Sequence, residues 1–173
     1  VFKGLEPHNL DQVLELVAVW KNAFLKSPEY FNLSEDAQDE SGPVILGFGE
    51  YMFSYRSLSP AEWAPDAAQE CCLEDFPAHM IAEPNFFESV SPVLVAFFEF
   101  LGRERQYLQA KDLSERVSGL KDEITRLSED PARWSKEKLL IMQATLDGHD
   151  LNDLDILVDY ARSYEEQFHD LVF

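Results

Sequence analysis

Apolar positions recur at helical spacing along most of the chain. Leu10, Val13, Leu14, Val17, Trp20 and Phe24 share one face of a 3.6-residue period, which predicts a helix from about residue 9 to 26 with Asn9 or Asp11 as its cap. The run 34–43 (SEDAQDESGP) is polar and acidic, carries no such stripe and ends in Gly-Pro, so it reads as an acidic loop with room for one helical turn. Pro43 suits the first position of a helix, and a second helix follows through Ile45, Leu46, Phe48, Tyr51, Met52 and Tyr55 to about Arg56. Ser59-Pro60-Ala61-Glu62 combines a cap, a proline and a first-turn acid, which predicts a short turn of helix. A fresh start near Pro65 gives a third helix carrying Ala68, Cys71, Cys72 and Phe76. It is expected to end near Pro77, since the residue before a proline avoids the helical region. Ser91-Pro92 opens the most apolar helix, through Val93, Phe97, Phe100 and Leu101, the expected centre of the core.

The pattern changes over residues 106–130. Eight charged residues lie within Lys111 to Arg126, and one narrow stripe of Leu113, Val117, Leu120, Ile124 and Leu127 runs through them. Its 4,3,4,3 spacing is that of a coiled coil, though it covers only about two heptads. The reading is one longer charged amphipathic helix, a candidate to project from the body, whose stripe has two uses open to it: packing within the chain or forming an interface with a second copy. Asp130-Pro131 starts a further turn, Ser135 caps a helix through Leu139, Leu140, Met142 and Leu146, and Gly148 ends it. Asn152 caps a final helix with a face of Leu157, Tyr160, Ala161, Tyr164, Phe168 and Leu171. No strand-period segment and no internal repeat of fixed length stands out. The fold class expected is all-α, a single-domain bundle of about six to eight helices spanning 1–173.

Composition narrows the function classes. With 46% hydrophobic residues and 13 Phe in 173 residues, the chain can fill a core, which excludes intrinsic disorder. Against 14 Lys and Arg stand 33 Asp and Glu, a net charge of −19, which argues against direct nucleic-acid binding, where clustered bases neutralise phosphate. Cys71 and Cys72 are adjacent and close no loop, so a reducing, cytoplasmic compartment is expected. No signal peptide shows before Glu6. The apolar stretch from Val93 to Phe98 falls far short of the ~20 residues of a membrane span, so no membrane partner is expected.

Asp130-Pro131-Ala132-Arg133-Trp134, a helix, then Gly148-His149-Asp150-Leu151-Asn152-Asp153 and an amphipathic terminal segment resemble a group of uncharacterised all-helical proteins of actinobacteria and archaea, some with an appended SEC-C zinc-binding motif. Glu62-Trp63, the helix ending at Phe76-Pro77 and the Pro92 to Leu101 helix extend the resemblance over residues 43–168. It implies a helical fold and brings no activity with it. The Cys-rich zinc motif of the longer members is absent here, so no zinc function follows, and no cofactor is expected.

Two constellations could hold a metal. Cys72, Asp75 and His79 stand at i, i+3 and i+7, one face of an unbroken helix, although Pro77 interrupts it. The plainer reading is a buried Cys pair, a solvated acid and a loop histidine. Glu166 and His169 form a Glu-x-x-His pair of the kind that di-iron bundles use twice, but no second copy occurs. The acids Asp147, Asp150, Asp153 and Asp155 fit no EF-hand register and are explained by helix capping. No nucleophile elbow, phosphate-binding loop or dinucleotide fingerprint occurs. Gly47 and Gly49 read as close helix packing, and Trp20, Trp63 and Trp134 as core anchors. The expectation is therefore a non-catalytic protein acting through protein–protein binding, with a second copy of itself or another protein as partner. The alternatives are a metal-binding protein or enzyme using these ligands, and an acidic protein that occupies a basic partner's site.

Overall fold

Asn9 accepts a hydrogen bond from the Gln12 backbone N–H and starts α1, Leu10–Phe24. Ser27 does the same for the single turn α2, Pro28–Phe31, and Ser34 for α3, Glu35–Arg56. In the computed structural model, which describes residues 7–148, the chain is all-α, with eight helices among the described residues. A 3-10 turn at Pro60–Glu62 leads to α4, which runs as Pro65–Glu70, passes through a π turn at Cys71–Asp75 and finishes as Phe76–His79. Then come α5, Pro84–Arg105; α6, Ala110–Val117; α7, Lys121–Ser128; a 3-10 turn at Pro131–Arg133; and α8, Lys136–Leu146.

At the centre α3 and α5 pack on each other. Helix α1 covers α3, α6 and α7 cover α5, and α4 bridges between α6, α7 and α3. The core between them is aromatic: Trp20, Phe24, Phe48, Trp63, Phe97 and Phe98 are all at most 1% exposed. Their rings meet edge to face, as Phe48 does with Trp63 at 4.9 Å and Phe24 with Phe97 at 5.6 Å, the arrangement their quadrupoles favour. Burial of each such side chain stabilises the fold by about 1.5–3 kcal/mol. Gly49 lets α1 and α3 approach, since a Cβ there would stand 2.8 Å from Val17 Cγ2.

The run 34–43 is helical, contrary to the loop expectation. Ser34 caps it, Glu35 and Asp36 sit in the first turn where the helix dipole favours negative charge, and the Gln38 amide donates to the carbonyls of Tyr30 and Leu33, tying α3 to the end of α2. Pro43 lies inside the helix with its ring exposed, so the carbonyl its missing N–H leaves unbonded faces the water side. Likewise the apolar helix begins at Pro84, not at Pro92, which it carries internally. It is long and apolar enough by composition to cross a membrane, but most of it is buried inside the fold. Pro77 does not end α4 either: in the π turn the Phe76 N–H reaches back to the Cys71 carbonyl, and this wider turn accommodates the proline.

A repeat emerges that the sequence had not revealed. Helices α3 and α5 are both 22 residues long, carry a proline at the ninth position and end on a left-handed residue, Ser57 and Gln106. Pro43-Val44-Ile45, Phe48, Glu50-Tyr51-Met52 and Arg56 correspond to Pro92-Val93-Leu94, Phe97, Glu99-Phe100-Leu101 and Arg105, each 49 positions on (92 − 43 = 49). Every buried position of α3 has a buried counterpart at that offset in α5. The C-terminal reversals match as well: the Leu58 N–H bonds the Met52 carbonyl, and the Tyr107 N–H the Leu101 carbonyl.

The segment 106–130 is neither one helix nor a projection. It breaks at Ser118-Gly119, where Gly119 takes φ 76°, and α6 and α7 fold down onto α5. Leu113, Val117 and Ile124 are 0% exposed and Leu127 5%, with Leu120 packed against the same core. Of the two uses open to it, the stripe takes the first: it is packed inside the chain, which leaves it no face to offer as an interface. The Ser91 hydroxyl fixes the junction by donating to the Val117 carbonyl at 2.7 Å, a group the end of α6 would otherwise leave orphaned. The final helix expected from Asn152 lies outside the described residues.

Candidate functional site

Arg56, the last residue of α3, organises the surface beside α4. Its guanidinium donates to both carboxylate oxygens of Asp75 at 3.0 Å, to Glu70 at 2.7 Å and to Glu74 at 2.9 Å. A planar fork with several donors suits such clustered carboxylates, and the hydrogen bond to Asp75 holds the guanidinium firmly charged. Asp75 is buried, so this pairing is what allows an acid there.

One turn back, Tyr51 and Tyr55 project from α3 towards the end of α4. The Tyr55 ring stacks on His79 with centroids 4.2 Å apart and planes 9° from parallel. Tyr51 meets both rings at an angle, 5.4 Å from Tyr55 and 6.0 Å from His79. Tyr51 is buried, while Tyr55 is 50% exposed. Burial, and then the Glu50 carboxylate, push the Tyr51 phenol up. Tyr55 is raised by its own partial burial, then by Glu137 at the start of α8, Glu50 and Asp75. The carboxylates of Glu50 and Asp75 thus act on both phenols.

Helix α8 is clasped to the same end of α4. The Ser135 N–H donates to the Ala78 carbonyl and the Lys138 ammonium to the Pro77 carbonyl, both at 2.8 Å. Lys138 is 3% exposed, and its ammonium lies over the rings of Trp134 at 4.9 Å and Phe87 at 5.0 Å. Burial pushes it down to about 8. Trp134 is half-buried and donates its indole N–H to the Ser128 carbonyl, forming a lid on the lysine rather than a central anchor.

The proposed metal trio is dispersed in role. Cys72 is fully buried, Asp75 is taken on both oxygens by Arg56, and the His79 ring is committed to Tyr55. No group of His, Cys, Asp or Glu side chains able to hold a metal occurs among the described residues. The π turn and Pro77 are the physical reason, because they remove the straight-helix register on which the spacing relied. Burial raises both cysteine thiols, and the charge of Asp75 adds to it, so neither supplies a thiolate near neutral pH. Glu166 and His169 lie outside the described residues. The ring layer and Lys138 escaped the sequence reading. Tyr51 and Tyr55 do stand at i and i+4, but their partner His79 arrives from another helix. Comparison with protein-family models, curated proteins and solved structures finds no match.

Proposed function

We propose that this protein is a non-catalytic helical binding protein that acts through contact with another protein. The reading is supported above all by the half-exposed Tyr55 ring stacked on His79. Aromatic side chains supply much of the binding energy at protein interfaces. This pair sits on helices fixed by the Arg56 cluster and the Lys138 clasp, so little ordering is left to be done on binding.

The test is capture of a partner by the full chain, followed by calorimetry with that partner purified. Saturable binding weakened by Tyr55→Ser is expected. Native mass spectrometry of untagged chain, prepared without chelators, supplies the opposing result: a retained metal or small metabolite would displace the reading in favour of metal or enzyme chemistry. A second reading, occupation of a basic partner's site by charge, draws on the stretch from Ser27 to Gly102, where Arg56 is the only Lys or Arg among 14 Asp and Glu. On that reading affinity falls steeply with ionic strength.

A further inference from the structure

We propose that the ring layer of Tyr51, Tyr55 and His79, with Glu50 on the same helix and Glu137 at the start of α8 as nearby carboxylates, receives an arginine side chain from a basic segment of a partner protein. The inference rests on the protein-binding reading above and names the chemistry of the partner. Three observations combine. The layer is preformed, with Tyr55 and His79 parallel at 4.2 Å and Tyr51 set at an angle to both. It is open, since Tyr55 is half exposed. Carboxylates stand near it, since Glu50 precedes Tyr51 on α3 and Glu137 lies in the first turn of α8, which Ser135 and Lys138 clasp to the end of α4 that carries His79. The cations near it are engaged elsewhere: Arg56 is held by Glu70, Glu74 and Asp75 on the α4 side, and the Lys138 ammonium by the Pro77 carbonyl and the rings of Trp134 and Phe87.

A cation is attracted to the face of an aromatic ring, and a neighbouring carboxylate adds a charge-assisted hydrogen bond. Arginine fits both demands together. Its guanidinium is planar and weakly hydrated, so it stacks on a ring while its fork donates to a carboxylate, whereas the compact lysine ammonium keeps its water. The wider charge agrees: of the 14 acids between Ser27 and Gly102, five are paired with Arg56, Arg103 or Arg116, and the excess that remains favours the approach of a basic segment before the arginine docks.

The test uses the full chain and a short Gly-Ser peptide carrying two arginines, titrated in about 0.15 M salt, where long-range attraction is screened, and followed by amide NMR shifts. Matched peptides carry lysine or uncharged citrulline in place of arginine. Shifts confined to the neighbourhood of Tyr51, Tyr55, His79 and Glu137 are expected, weaker for lysine and absent for citrulline. Tyr55→Ser and Glu137→Gln should each weaken binding about tenfold. The double variant Glu35→Gln with Asp36→Asn, at the opposite end of α3, should change it by less than about twofold. No binding, or equal weakening by the remote double variant, overturns the site. If a captured partner still binds while Tyr55→Ser leaves its affinity unchanged, this site falls and the binding reading stands.

Discussion

Two residues show how closely the interior is specified. At Gly49 an added methyl would stand 2.8 Å from Cγ2 and 3.2 Å from Cγ1 of Val17, which is 0% exposed. Valine is stiff about χ1 and cannot swing aside, so the helices must part. Alanine gains ~1 kcal/mol of helix propensity over glycine, but overpacking costs about 1–3 kcal/mol. The expected result for Gly49→Ala is a net loss of about 1 kcal/mol, within a range of about 0–2, read from the denaturation midpoint. Lys138 is the reverse case, a buried charge with one carbonyl acceptor and two ring faces. Burial lowers its pKa to about 8, against about 10.4 for an exposed lysine. Between those values the unfolded chain binds the extra proton, so this group's contribution to stability rises with pH. Wild type should therefore gain on Lys138→Met by about 1–3 kcal/mol from pH 7.5 to 10.5. Using the difference removes the opposing contribution of the buried cysteines, common to both proteins. A pH-independent difference would show that the ammonium is not held out of water.

At the scale of elements, the stripe from Leu113 to Leu127 decides between a surface and a core. With Ile124 at 0% exposure, Ile124→Glu places a charge where it has no partner, which costs at least several kcal/mol. The expected outcome is a chain that is unfolded or nearly so; a folded variant with a changed oligomeric state would put the stripe back on the surface. The same segment shows what the sequence carried and what it did not. Apolar periodicity located α1, the apolar part of α5 and the helix opened by Ser135, because in each a cap and a face agree. It could not tell a stripe that serves a partner from one that serves its own core, since both need the same spacing. The acidic start of α3 lacked an apolar stripe, and its stability comes from Ser34, the helix dipole and the Gln38 clasp. The start of α5 is missed in the same way, eight residues before Pro92 as that of α3 lies eight before Pro43, and the few identical residues at the 49-residue offset do not announce a repeat by themselves. In the candidate site, spacing alone offers Asp75 and His79 as metal ligands. Their partners, Arg56 and Tyr55, lie on another helix, and no local pattern announces them.

Over the whole molecule, charge opposes the packing that the aromatic core provides. A net charge of −19 on 173 residues means that the folded state holds carboxylates closer together than the unfolded chain does, which destabilises it by self-repulsion. The bases do not relieve this evenly, since Arg56 is the only one between Ser27 and Gly102. Raising salt from about 0.01 M to 0.15 M shortens the screening length from ~30 Å to ~8 Å. That removes repulsion across the domain while leaving direct contacts less affected. It also weakens exposed pairs such as Arg116 with Asp66 and Arg103 with Glu104, but each of these contributes only about 0–1 kcal/mol. The long-range term should win. The expected outcome is a rise in Tm of about 3–8 °C over that range, equivalent to roughly 1–2 kcal/mol for a domain of this size, measured by differential scanning calorimetry. A flat or falling Tm would mean that the specific ion pairs outweigh the net repulsion, and would make the Arg56 cluster the first place to look for their source.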